Sequence, residues 1–302
     1  MNACRILLSA IITTVLFSAE LNSQNVTEKN NREPIPILIR CDDWGMSHSV
    51  NMAAKQVLEK GFPVSGSIMF ACPWYQEAVE IVKAYPNVSV GVHLTLNAEW
   101  KNYRWGPVAG RSAVPTLVDS LGFFFPSRAT LFGNNPSLTE IETELRAQVE
   151  RAVRSGVRID YLDYHMGAAV QTEETRKIVE KLAAEYGLAV SRYFDEVDVE
   201  SGYSVQVEKK LDSIVARTKA LKPGGTKLFV IHIGLDDAEL RAMEDLNVFG
   251  PKEMSRNRQS ELDALLSPKF QKLIHSKKYR LVNYKMMIDE KGLGSMKRPI
   301  EQ

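Results

Sequence analysis

Residues 35–45 read Ile35-Pro36-Ile37-Leu38-Ile39-Arg40-Cys41-Asp42-Asp43-Trp44-Gly45. The run is apolar and extended as far as Ile39, which marks a buried strand, and it ends in two adjacent carboxylates. Desolvation and mutual repulsion both oppose ionisation of such a pair. A cation is therefore expected beside Asp42 and Asp43, and a divalent metal is the simplest one. Helix capping by Asp43 or Ser47 is the competing reading for one carboxylate; it explains the pair less well.

Working outward, strand-like runs alternate with amphipathic helices. The strand candidates are 35–41, 64–71, 88–96, 159–165, 189–193, 227–233 and 279–284. Helices are expected from Ser47 to Lys60 before Gly61, from a capping box at Ser137-Leu138-Thr139-Glu140 to Ser155-Gly156, over 172–186 before Gly187, over 205–221 before Pro223-Gly224-Gly225, and over 259–275. Strands separated by helices imply a parallel sheet covered by helices. About seven such units in one domain predict an α/β fold, a distorted (β/α) barrel of about seven strands spanning 35–302. The polar residues favour a barrel over an open sheet. Asp42, Asp43, His93, Asp163, His165, Arg192 and His232 all fall at or near C-terminal strand ends, which converge on one face of a barrel. The alternation breaks at a long connection, 100–136, rich in aromatics, glycine and proline. So many aromatics argue against disorder, and the segment is expected to lie over the barrel mouth as a lid or to pack against its rim.

Composition narrows the class. The 302 residues are 44% hydrophobic and 25% charged, with a net charge of +1 and no basic block, so no nucleic-acid partner is expected. Arg5 precedes an apolar run from Ile6 to Phe17 and a small, polar exit. This has the form of a secretory signal, with an uncleaved anchor as the alternative, and is short for a membrane span. The expectation is a signal peptide over 1–24 without a sharp cleavage motif, a disordered lead-in over 25–34, and a periplasmic or extracellular protein with no stable membrane insertion. Cys41 and Cys72, each at the end of an apolar run, are expected as buried thiols rather than a bridge.

Three of the five histidines, His93, His165 and His232, sit at strand ends in apolar surroundings. A lone histidine there is usually a core residue; three on separate strands beside an Asp pair are not. Two imidazoles and one carboxylate make a three-ligand divalent site with an open position, favouring zinc, with magnesium or another divalent ion as the alternative. Asp43, His93 and His165 form the natural triad. Asp42 is then free to act as a general base on a water that the ion acidifies, and His232 to protonate the leaving group or stabilise an oxyanion. Arg192 is expected to hold Asp42 ionised, and Asp163 to hydrogen-bond a ligand imidazole. His48 is a candidate substrate contact.

With these residues in place, the chain resembles the YdjC-like carbohydrate deacetylases, also called the ChbG/HpnK family, relatives of the NodB-type polysaccharide deacetylases. The matching stretches are Asp42-Asp43-Trp44-Gly45-Met46-Ser47, Gly91-Val92-His93-Leu94-Thr95-Leu96, Leu162-Asp163-Tyr164-His165 and His232-Ile233-Gly234, with Val114-Pro115-Thr116-Leu117-Val118-Asp119 resembling the lid loop. The resemblance covers about residues 35–286. It implies a seven-stranded barrel-like fold, one divalent metal on Asp43, His93 and His165, Asp42 as base, His232 as acid, and hydrolysis of an acetamido group on a sugar. Gly167 stands where the family often has a second histidine, and Ile233 where it usually has proline, so both departures bear on the substrate. The expected activity is removal of acetyl from an N-acetylated amino sugar or short oligosaccharide, with Trp74, Tyr75, Trp100 and Trp105 as faces for sugar rings. The rivals are an O-acetyl esterase on the same scaffold and a silent glycan-binding protein. A homo-oligomer is compatible with the sequence.

Overall fold

The computed structural model describes residues 33–299 except Phe249. The expected signal peptide and all but the last two residues of the lead-in lie outside the described residues. Strand β1 (Ile35–Trp44) is flanked on both edges, and Ile37, Leu38 and Ile39 are fully buried. That explains the unbroken apolar run, because a parallel strand covered on both faces has no solvent side to alternate toward. One edge pairs with β7 (Thr226–Ile231). The other pairs first with β8 (Tyr279–Val282), from Ile35 opposite Tyr279, and then with β2 (Ser65–Ile68), from Arg40 opposite Ser65. Beyond β2 lie β3 (Ser89–Leu94), β4 (Tyr161–Tyr164) and β5 (Ala189–Val190); beyond β7 lies β6 (Glu196–Asp198). All these pairings are parallel, and β5 and β6 are the two ends of the strand order, so the sheet is a curled half-barrel, as the strand–helix alternation predicts.

The helices are α1 (His48–Leu58), α2 (Tyr75–Lys83), α3 (Arg128–Gly133), α4 (Leu138–Arg154), α5 (Glu173–Tyr186), α6 (Lys210–Lys219), α7 (Ala238–Arg241), α8 (Met254–Leu266), α9 (Pro268–Ile274) and α10 (Tyr284–Lys291). Several expectations are refined. The unforeseen strand is β6, whose Glu-Val-Asp sequence carries no apolar signal and which pairs from Glu196 opposite Thr226. The single helix expected over 259–275 is two, because Ser267 caps a new helix with Pro268 in its first turn. The capping box at Ser137 does not form. Glu140 instead turns back to accept from both the backbone N–H and the hydroxyl of Thr116, each at 2.7 Å.

Inside the half-barrel, beneath the site, runs a hydrogen-bonded column. Arg40 donates to the Ser191 hydroxyl at 2.7 Å, Ser191 meets the Tyr284 hydroxyl at 2.5 Å, and Ser67 bridges the Tyr161 hydroxyl (2.7 Å) and Asp163 (2.8 Å). The Tyr161 ring lies on Gly91 of β3, where any Cβ would come within 2.4 Å of it. Cys41 and Cys72 are free and buried, as expected.

Candidate active site

In a regular strand, neighbouring side chains point to opposite faces, so Asp42 and Asp43 should be separated by the sheet. The structure brings them together with a local irregularity. The β1–β2 register shifts between Cys41 and Trp44, and Asp43 takes a φ of 66°. This left-handed conformation is uncommon outside glycine but tolerated by Asp. Both carboxylates then line one cavity of about 560 Å³, together with His93, Glu99, Arg128, His165, Met166, Tyr203, His232, Asp245, Asn247 and Arg258.

His93 stands on β3 opposite Asp163 of β4, and His165 follows β4 directly. The Asp43 Oδ1 atom is 3.3 Å from His93 Nε2 and 3.3 Å from His165 Nδ1, yet it is buried and receives no hydrogen bond. Each of the three donors has its remaining atom tied elsewhere. His93 Nδ1 meets Asp163 at 3.0 Å, His165 Nε2 meets Glu99 at 3.0 Å, and Asp43 Oδ2 accepts from Arg258 at 2.6 Å. One free atom per residue is thus aimed at a common point. A tetrahedron with bonds of about 2.0–2.1 Å has edges of about 3.3 Å, so the spacing suits a zinc-sized ion. Charge agrees. With the imidazoles neutral, the buried carboxylates of Asp42, Asp43, Glu99 and Asp163 face two guanidiniums, Arg40 and Arg258, leaving two negative charges. A second donor group among the described residues, Asp42 with His93 and Asp163, shares His93 and is already crossed by Arg40.

Asp42 is gripped by Arg40, whose Nε and Nη2 reach its two oxygens at 2.7 Å each. Burial pushes the Asp42 carboxyl up, but the charge and hydrogen bonds of Arg40, with smaller help from the neighbouring imidazoles, bring it below the ordinary carboxylate range. Burial opposes ionisation of Asp43 as well; Arg258 and the two histidines outweigh it and hold the carboxyl well below that range. Burial pushes both imidazoles down, yet Asp163 and Asp42 raise His93 to about 10, and Glu99 and Asp43 raise His165 to about 9. The site demands positive charge. His232 follows β7, packs against Tyr203 with ring centroids 5.3 Å apart, and is lowered by burial.

The expected site residues therefore divide. Asp42, Asp43, His93, His165 and His232 share the cavity, and Asp163 sits beneath it on His93. Arg192 does not reach Asp42; it takes a φ of 74° and pairs with Asp198 at 2.8 Å. The guanidinium on Asp42 is Arg40, two residues earlier on the same face of the same strand, a spacing visible in the sequence. Trp100 and Trp105 are buried walls behind the site, and Trp105 donates its N–H to the Asn97 carbonyl. Trp74 is exposed beside His48, 5.2 Å between rings, and His48 is held by Glu77 at 2.8 Å; neither lines the cavity. Tyr75 packs on Phe70 and Arg151. Glu99 and Arg258 were missed. Glu99 follows the His93 strand by five residues, but Arg258 lies in a polar helix with no sequence signal tying it to Asp43.

Of the connection 100–136, Trp100, Trp105, Val114, Leu117 and Phe124 are buried, and Ser127, Arg128 and Ala129 reach the cavity rim. The Arg128 guanidinium stands 3.3 Å from where a Cβ on Gly167 would be, so it occupies space a side chain there would need. No helix among the described residues is long and apolar enough to cross a membrane.

The chain is similar to several known proteins. A carbohydrate deacetylase of Brevibacillus brevis is 26% identical over 269 residues, 82% of this chain and 98% of that protein. One from Enterococcus faecalis is 28% identical over 153 residues, half of this chain and 56% of that protein. Among solved structures, an Enterococcus faecalis protein provisionally named for cellobiose-phosphate cleavage superposes with a TM-score of 0.68 at 22% identity, covering 84% of this chain and 99% of its own, which shows a shared fold. The model of the family described as YdjC-like protein matches residues 36–276, and the chain belongs to that family.

Proposed function

We propose that this protein is a metal-dependent carbohydrate deacetylase that removes acetyl from an N-acetylated amino sugar or short oligosaccharide. The observation that carries the reading is the unpartnered Asp43 Oδ1, 3.3 Å from a nitrogen of each of two histidines, with a second carboxylate beside it in the same cavity. The names of the relatives supply the substrate class.

A divalent ion held by Asp43, His93 and His165 would act as a Lewis acid toward the acetamide carbonyl and acidify a water. Zinc fits the donor set best, with magnesium as the alternative. Asp42, kept ionised by Arg40, accepts the proton of the attacking water, so the chain holds its base ready at neutral pH. His232, neutral because burial opposes its charging, offers a ring N–H to the carbonyl oxygen or leaving nitrogen. Asp163 and Glu99 orient the two imidazoles. Tyr203, Met166 and Asn247 give the sugar its apolar and polar contacts. Export is part of the proposal, supported by the sequence from Arg5 to Phe17.

Acetate release from N-acetylated and O-acetylated sugars, with metal content measured on the same sample, tests the reading. Release from the N-acetyl set that disappears on chelation is expected. Release only from the O-acetyl set makes the protein an esterase, and binding without release makes it a silent glycan-binding protein.

A further inference from the structure

The two oxygens of Asp43 are treated differently. Oδ1 is unpartnered and faces the histidines, whereas Oδ2 is taken by the Nη2 of Arg258 at 2.6 Å. Arg258 belongs to α8 and is only 2% exposed. Its stem crosses Gly234, just past His232, where a Cβ would come within 3.1 Å of the arginine's own Cβ. The guanidinium lies 5.9 Å from the Trp100 ring, and its Nε and Nη1 have no hydrogen-bond partner. A buried cation with one partner is a poor source of stability, since apolar replacements of similar volume usually do as well. It also stands next to a point where another cation is expected, where it can only repel. A role in the site explains what stability does not.

We propose that Arg258 is a positioning residue that restricts Asp43 to a single metal-facing oxygen, an inference that rests on the metal-dependent reading above. A carboxylate with both oxygens free can grip a divalent ion with two. With Oδ2 held by Arg258, only Oδ1 remains, so the protein spends three coordination positions and leaves the others for water and the substrate carbonyl. The same positive charge weakens the ion's attachment and strengthens its pull on those open-side ligands. Arg258 thus exchanges affinity for Lewis acidity.

The test uses the whole chain and Co²⁺ and Zn²⁺ as probes. Wild type, Arg258→Met and Arg258→Lys are compared by Co²⁺ visible absorption and by Zn²⁺ competition titration. Arg258→Met is expected to bind Zn²⁺ about 10-fold or more tightly, because a neighbouring like charge is gone, and to show the weaker Co²⁺ bands of a higher coordination number. Arg258→Lys, which keeps the charge, should stay near wild type in affinity; where the Met variant does not fold, Arg258→Gln takes its place, and a Gln variant with unchanged affinity and spectrum overturns the idea. A Met variant with unchanged affinity and spectrum overturns it, as does one that binds more weakly with an unchanged spectrum. If wild type itself binds neither ion while folded, the metal-dependent reading fails first.

Discussion

Asp42 and Asp43 are adjacent in the chain but tied to different arginines, Arg40 and Arg258, and the proposed function gives them separate roles. Asp43→Asn replaces an anionic donor by a neutral one and should lower zinc content. Asp42→Asn should keep zinc while kcat falls by about 10²–10⁴-fold, the usual worth of a positioned general base. Metal analysis and steady-state kinetics on both variants check this; loss of zinc in Asp42→Asn with activity per zinc preserved reverses the assignment. Arg192→Ala should leave kcat near wild type, since its partner is the half-exposed Asp198. The residues proposed as ligands stood out because a histidine or carboxylate at the end of an apolar strand is conspicuous. Arg258 was not, because it sits in a helix whose other polar residues are ordinary surface, and only the tertiary fold brings it to Asp43.

At the scale of elements, the long connection 100–136 is an ordered wall whose end reaches the site. Of the two readings of its tryptophans, sugar platforms or packing, burial favours the second: Trp100 and Trp105 are 1% and 3% exposed. Trp105→Ala should therefore cost about 3–5 kcal/mol in denaturant unfolding, whereas Trp74→Ala, at a 37% exposed position, should cost under about 1 kcal/mol. Residue type announced the aromatics; burial depends on the rest of the fold and was not readable. The same connection is pinned by Glu144 of α4, which accepts the N–H groups of Val108 and Ala109 at 3.0 and 2.9 Å. Burial lifts Glu144 to about 6 from an ordinary 4.5, against those hydrogen bonds. Because the folded pKa is the higher, the contribution is complete below about pH 4.5 and is lost as pH rises through about 6, up to ~2 kcal/mol. Melting temperatures of wild type and Glu144→Gln should thus diverge between pH 4.5 and 6.5, with wild type losing ground; a constant difference refutes the account.

For the whole molecule, the half-barrel was legible because strand and helix periods alternate so regularly, and most helix ends carry their own punctuation, as Gly187 does after α5 at a φ of 65°. What escaped were β6, the bend that turns Asp43 to its neighbour's side, and the helices α2, α3, α7 and α10. Both thiols should resist alkylation in the folded protein and react on unfolding, since burial pushes Cys41 and Cys72 far above the ordinary thiol range. The contact between Asp43 and Arg258 spans 215 positions, and that between Arg40 and Ser191 spans 151. Contacts so distant along the chain form late, because the loop they close must first be brought together. Until α8 docks, Asp43 lacks its counter-ion and the two carboxylates repel each other. The proposed zinc donors, by contrast, all lie within residues 43–165 and do not wait for α8: in a refolding experiment begun with zinc present, the ion should bind before the slowest phase and loosen during it, as Arg258 arrives beside Asp43.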